Sequence, residues 1–186
     1  MAPKIKITKD ELIAAGLDLV RWEGQNALNA RNLAASIGCS TQPIFSNFSN
    51  MAELERAVLS AAYSKYLDFT KEEIERGEYP VYKASGMAYI HFATEEKELF
   101  KLLFMCDRTG EDLGPTADFE SAVEMIASAN GISKEKASLL HLEMWATVHG
   151  IATMQATSFL PLEWDLISNI LTDVYLGVRE RIIKEN

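Results

Sequence analysis

Residues 28–48 read Leu28-Asn29-Ala30-Arg31-Asn32-Leu33-Ala34-Ala35-Ser36-Ile37-Gly38-Cys39-Ser40-Thr41-Gln42-Pro43-Ile44-Phe45-Ser46-Asn47-Phe48, and this stretch decides the architecture. Asn29 carries the short polar side chain that accepts hydrogen bonds from the free amides of a helix start. Leu33, Ala34 and Ile37 then share one face at helical spacing, and Gly38 closes the helix. Ser40 is a second N-cap type, and Pro43 falls in the following first turn, where its missing amide costs little. Two short helices joined by a glycine-containing turn form a helix-turn-helix unit.

The second of these helices is expected from Thr41 to about Asn47. With Ile44 and Phe48 inward, Thr41, Gln42, Pro43, Phe45, Ser46 and Asn47 face outward. That face is small, polar and uncharged. Gln and Asn pair with adenine edges, Thr methyls and Pro touch thymine methyls, and hydroxyls reach phosphate. Free amides at the helix start favour an anion as well. A solvated amphipathic helix has the same pattern, so this helix alone leaves both readings open.

Working outward, Thr8 with Glu11 makes a capping box, Leu12, Ile13, Gly16, Leu17, Leu19 and Val20 form a stripe, and Gly24 ends a helix over about 9–23. Downstream, Asn50 and Glu53 form another capping pair. They launch a helix to about Glu75 through Leu54, Val58, Ala61, Ala62, Tyr66 and Leu67. At about 1.5 Å per residue it is roughly 37 Å long, enough to bridge two domains. Gly77 and Pro80 break it, and helices are expected at about 81–93, 96–105, 117–129, 134–157 and 162–184, with Asp107 to Pro115 as the lengthy loop. The reading is all-α, with a helix-turn-helix domain over 1–50 and a helical domain over 51–186.

The stretch from Leu28 to Ser40, continued by Phe45, Phe48, Glu53 and Leu54, resembles the N-terminal domain of the tetracycline-repressor (TetR) family of bacterial transcription regulators. The match covers about 8–56. Trp145-Ala146-Thr147-Val148-His149-Gly150 resembles the Trp, His, Gly signature of the ligand domain in one branch of that family. The resemblance implies an all-helical homodimer whose first three helices bind a palindromic DNA operator. It also implies a long fourth helix leading to a domain that senses a small-molecule effector. Residues at the family's DNA-contacting positions are Asn29, Arg31, Ser40, Thr41, Gln42, Pro43, Phe45, Ser46 and Asn47. The chain departs from the family at Phe45, Asn47 and Met51, where Tyr, His and Lys are usual, so three frequent phosphate-binding groups are altered. Lys4, Lys6 and Lys9 are expected to compensate by lying along phosphates, each neutralised phosphate contributing about 0.9 to the salt slope, a solubilising tail being the alternative for this arm.

Composition sets the limits. The chain has 186 residues, 48% apolar and 24% charged, as in a folded globular protein. Its net charge of −9 argues against a coat for nucleic acid or membrane over the whole surface. Residues 1–56 are neutral, so the entire excess lies in 57–186. Cys39 and Cys106 stand far apart, outside any disulfide or zinc spacing. Charges interrupt the N-terminus where a signal peptide would be apolar, and no window approaches the roughly 18 apolar residues of a membrane span. A cytoplasmic protein without membrane attachment is expected.

His141, Trp145 and His149 fall on one helical face. Eight residues separate the histidines by roughly 12 Å, whereas two ligands about 2.1 Å from one zinc lie close together, so no shared metal is expected. No cysteine has an adjacent histidine, His91 with Glu95 reads as a surface pair, and neither catalytic residue nor cofactor is expected. Tyr66, Met87, His91, Phe104, Met105, Met144, Trp145 and His149 are the candidate effector-binding residues, core packing being the alternative for each aromatic or methionine. The last two helices carry broad stripes through Leu139, Leu140, Ile151 and Met154, and through Ile167, Ile170, Leu171, Val174, Tyr175, Val178 and Ile182. Such stripes are covered either by the domain's own core or by a second subunit. An all-helical enzyme and a protein-interaction module without DNA binding are the rival classes.

Overall fold

The computed structural model describes residues 7–107 and 117–184. Every regular element among them is helical: α1 (Lys9–Glu23), a 3-10 turn (Gln25–Ala27), α2 (Ala30–Ser36), α3 (Gln42–Asn47), α4 (Met51–Glu75), α5 (Val81–Glu95), α6 (Lys97–Phe104), α7 (Ala117–Asn130), α8 (Lys134–Ala156) and α9 (Trp164–Lys184). The expected helices agree to within about two residues. The 3-10 turn is additional; Asn29 and Asn32 both donate side-chain hydrogen bonds to Ala27 O. Of the expected loop from Asp107 to Pro115, only Asp107 lies inside the described residues.

The chain forms two compact units, Met1–Asp68 with Glu96–Cys106, and Phe69–Glu95 with Asp107–Asn186. In the first unit the caps are those the residue types demand. Thr8 Oγ1 accepts from Glu11 N at 3.2 Å while Glu11 Oε2 accepts from Thr8 N at 2.7 Å. Leu12, Leu19 and Val20 are buried, whereas Ile13 and Leu17 are half-buried at the edge of the stripe. Gly16 permits close approach of α1 to α4, because a Cβ there would come within 2.8 Å of Val58 Cγ2. Asn29 Oδ1 accepts from Asn32 N at 3.0 Å to start α2. At its end Gly38 adopts φ +66°, Gly38 N donates to Ala35 O and Cys39 N to Ala34 O. This is the two-bond closure that favours glycine, and it aims the chain into α3.

One expectation is corrected at that point. The N-cap of α3 is Thr41, not Ser40, and it makes no side-chain cap bond. Thr41 already has helical backbone angles, φ −74° and ψ −10°, and its carbonyl receives the first amide bonds from Ile44 and Phe45. Asn50 and Glu53 behave as expected: Glu53 N donates to Asn50 Oδ1 at 2.9 Å and Ser49 N to Glu53 Oε2 at 2.8 Å. α6 packs against α1 in this unit, burying Leu99, Phe100 and Leu102.

In the second unit α8 packs against α5, α7 and α9. α5 is the most enclosed helix, burying Ala84, Met87, Ala88, Tyr89, Ile90, Phe92 and Ala93. The apolar stripes of the last two helices divide. Leu140, Ile151, Ile167, Leu171 and Ile182 enter the unit's own core, while Val174, Tyr175 and Val178 are half-buried. Leu139 of the α8 stripe remains outside, contrary to expectation, together with Leu142 and Trp145 on α8 and Leu166 and Leu176 on α9.

Candidate nucleic-acid interface

The outer face of α3 is built from within. Ile44 and Phe48 are buried, one in the middle of the helix and one just after it, and fix its rotation. Thr41, Gln42, Phe45 and Ser46 are consequently exposed, Phe45 at 52%, and Ser40 precedes them in the open. Gln42, Phe45 and Ser46 are neighbours at i, i+3 and i+4. Ser46 Oγ donates to Gln42 O at 2.9 Å, so its hydroxyl oxygen faces out as an acceptor. Pro43 is half-buried.

Asn47 departs from the outward set. It is half-buried, and its Nδ2 donates to Pro43 O at 2.8 Å and to Ile7 O at 3.3 Å. The cause is position: as the last residue of α3 it meets the chain entering α1. Asn29 is exposed but engaged as the α2 cap, and Arg31 is exposed in the first turn of α2. Lys4 and Lys6 lie outside the described residues.

Lys9 is also not an open phosphate ligand. Its ammonium pairs with Glu53 Oε1 at 3.0 Å and lies 4.7 Å from the centre of the Phe48 ring. The Ser49 amide, and then Lys9, hold the Glu53 carboxyl down to about 2. The sequence missed this pair because its partners are separated by 44 positions.

The candidate effector residues fall into two groups. Tyr66, Phe104 and Met105 belong to the first unit, where Tyr66 meets Phe104 edge-on at 5.1 Å and Met105 is exposed. Met87, His91, Met144, Trp145 and His149 belong to the second. Met87 and Met144 are buried among core residues. Trp145 is exposed and stacks on His149 at 5.0 Å with planes 6° apart. His91 Nδ1 lies 2.6 Å from Glu73 Oε2, so its partner is this buried acid and not Glu95. Two surface depressions, of about 440 Å³ along Gly177, Glu180, Arg181 and Lys184 and about 230 Å³ beside Ala15, Leu19, Trp22 and Ile37, include none of the eight.

The histidines have separate partners. His141 Nδ1 meets Tyr82 Oη at 2.8 Å, and His149 Nδ1 meets Tyr89 Oη at 2.9 Å. Burial lowers the pKa of both rings and raises that of the Tyr82 hydroxyl, with Tyr175 adding to the latter. Among the described residues no group of three or more His, Cys, Asp or Glu is placed to hold a metal ion. No described helix is long and apolar enough to cross a membrane.

Comparison with known proteins bears on both parts of the chain. Residues 82–171 match the family described as "Tetracyclin repressor-like, C-terminal domain". No curated protein matches. Among solved structures, a protein of unknown function from Rhodococcus sp. RHA1 superposes with a TM-score of 0.70 at 20% identity, over 97% of this chain and 98% of that one. At that identity the likeness is one of fold.

Proposed function

We propose, on the premise that this chain belongs to the TetR family of transcription regulators, that it binds a palindromic DNA operator as a homodimer and releases it when a small molecule binds. The observation that carries the DNA reading is the exposed, uncharged face of Thr41, Gln42, Phe45 and Ser46, held outward by Ile44 and Phe48. Such a face fits the major groove, where amide and hydroxyl groups read base edges and neighbouring contacts go to phosphate. Two copies in a two-fold dimer read half-sites about 34–36 Å apart, or slightly more. Residues 1–50 are assigned to DNA and 51–186 to effector and partner, the protein residing in the cytoplasm.

The dimer reading is supported by the apolar side chains that α8 and α9 leave exposed, Leu142 at 54% and Leu176 at 52% among them. Two copies of this pair make a four-helix interface. For the effector, His91, Trp145 and His149, all in the second unit, are the preferred residues. Met87 and Met144 now serve as core walls, and the effector is largely apolar. It acts as a repressor's inducer by favouring a state in which the two reading heads no longer match the operator, a coupling of about 1 to 3 kcal/mol in typical cases. The enzyme reading requires convergent titratable groups. His91, His141 and His149 instead have the separate partners Glu73, Tyr82 and Tyr89.

Selection of bound duplexes from a random pool tests the proposal. Recovery of one palindrome, with affinity lowered by a small molecule that also binds the protein, is the expected result. Binding that is absent, or equal for every sequence, contradicts it.

A further inference from the structure

We infer that the depression at the end of α1 seats an arginine or lysine side chain of a partner protein, presented by a segment that is basic and partly apolar. The inference stands independently of the DNA reading. Ala15, Leu19 and Trp22 recur at i, i+4 and i+7 along α1, so they share one face, and Ile37 at the end of α2 closes its side. Leu19 is buried and forms the floor, whereas Trp22 is 74% exposed. A tryptophan left this far in water beside a depression is the residue type that anchors protein interfaces. Asp18 and Glu23, both exposed, complete the lining.

Charge decides the occupant. Neither carboxylate has an ionic partner among the described residues, and no basic side chain lines the depression. The neighbouring cation, Arg21, is committed to Glu96 by two hydrogen bonds of 2.6 Å. Its Cζ lies 5.1 Å from the centre of the Trp22 ring, so the indole already takes one guanidinium within cation–π range, and its exposure leaves surface for a second. An incoming arginine or lysine lays its methylene stem on Leu19 and Ile37 and its charge against Asp18, Glu23 and the indole. Nucleic acid is the wrong partner here, because two uncompensated carboxylates repel phosphodiesters. A second copy of this chain, with a net charge of −9, is poorly matched as well. At about 230 Å³ the depression is smaller than the roughly 300–1,000 Å³ of small-molecule pockets. It suits one long side chain carried in on a larger partner. Thr41, Gln42, Phe45 and Ser46 do not line it, so the partner docks on the helix-turn-helix unit beside the outer face of α3 and not on it.

The test titrates the full chain against a fluorescein-labelled nonapeptide of alternating leucine and arginine, read by anisotropy at about 0.15 M salt, where long-range attraction is screened. Its counterpart with citrulline for arginine keeps the shape and removes the charge. Asp18→Asn with Glu23→Gln is expected to weaken the arginine peptide about three- to tenfold, and Trp22→Ala about tenfold. All three are surface changes that leave the core intact, which thermal melts verify. Glu72→Gln with Glu78→Gln, exposed acids elsewhere, makes the same change in net charge and should alter affinity less than about twofold. Equal binding of the citrulline peptide, an equal loss in the Glu72 and Glu78 variant, or unchanged affinity in Trp22→Ala overturns the inference. So does the absence of binding at about 1 mM peptide, the weak end of recognition. Self-association of the parent chain that Trp22→Ala abolishes would instead assign the depression to a second copy. None of these outcomes bears on operator selection, so the DNA reading is tested separately.

Discussion

Arg21 grips Glu96 through two parallel hydrogen bonds, Nε to Oε2 and Nη2 to Oε1, each 2.6 Å long. Glu96 is only 6% exposed, and Lys65 approaches the same carboxylate at 3.5 Å. The paired geometry is the strong form of an Arg–carboxylate contact, and it ties α1 to the start of α6 in the first unit. Arg21→Met leaves a buried carboxylate with Lys65, at 3.5 Å, as its remaining cation. Losing a partner costs roughly 3–5 kcal/mol for a fully buried pair; with Arg21 35% exposed, a loss of about 2 kcal/mol is expected. Urea unfolding measures it, and replacing Glu96 by Met as well should recover part of the loss. A change below about 0.5 kcal/mol, the usual size for surface substitutions, would contradict this placement.

Gly16 gives a prediction of opposite origin. Alanine is the better helix former by about 1 kcal/mol, but its Cβ would lie 2.8 Å from Val58 Cγ2. Overpacking of this kind costs about 1–3 kcal/mol. Gly16→Ala should therefore lower stability by about 1 kcal/mol, and Val58→Ala in the same chain should suppress the clash. Thermal melts of the two single variants and the double variant decide it through their non-additivity.

Acid should weaken the fold in two windows. Burial lowers the pKa of His141 and His149 from 6.5, so below that value the unfolded chain binds protons that the folded chain resists. Stability is full above about pH 7 and declines as pH falls from about 6.5. Glu53 acts lower down: its carboxyl is depressed from 4.5 to about 2, and its contribution, present above about 4.5, is lost as pH falls through that interval. Urea midpoints measured against pH should show both declines. His141→Gln should flatten the upper one, and Glu53→Gln the lower.

The exposed leucines of α8 and α9 predict the assembly state. Leu142→Glu with Leu176→Glu places charge on the proposed subunit contact without touching the buried stripe of Leu140, Leu171 and Ile182. Sedimentation should change from a dimer to a monomer of 20.7 kDa, with helical content retained. A dimer of undiminished affinity would move the interface elsewhere.

What the sequence disclosed was local. Thr8 with Glu11, Asn29, and Asn50 with Glu53 mark helix starts, and Gly24, Gly38 and Gly77 mark ends, because capping acts within a few residues. Ile44 and Phe48 likewise reveal which face of α3 is left outside. Long-range partnerships were not legible. The Arg21–Glu96 pair spans 75 positions, Tyr82–His141 spans 59, and Asn47–Ile7 spans 40. Burial of Met87 and Met144 depends equally on packing that periodicity does not specify. The sequence therefore favoured Asn47 as a DNA contact where the fold gives its amide two carbonyl partners.

The most direct test of the account is the affinity of Gln42→Ala for the palindrome selected by the parent chain, compared with each single-base variant of that palindrome. Gln42 is exposed on the outer face of α3. Its loss should weaken binding by about 1–3 kcal/mol and relax discrimination at one symmetric pair of positions. Unaltered affinity and an unaltered pattern of base preference, in a variant that remains folded, would show that this face of α3 does not read DNA.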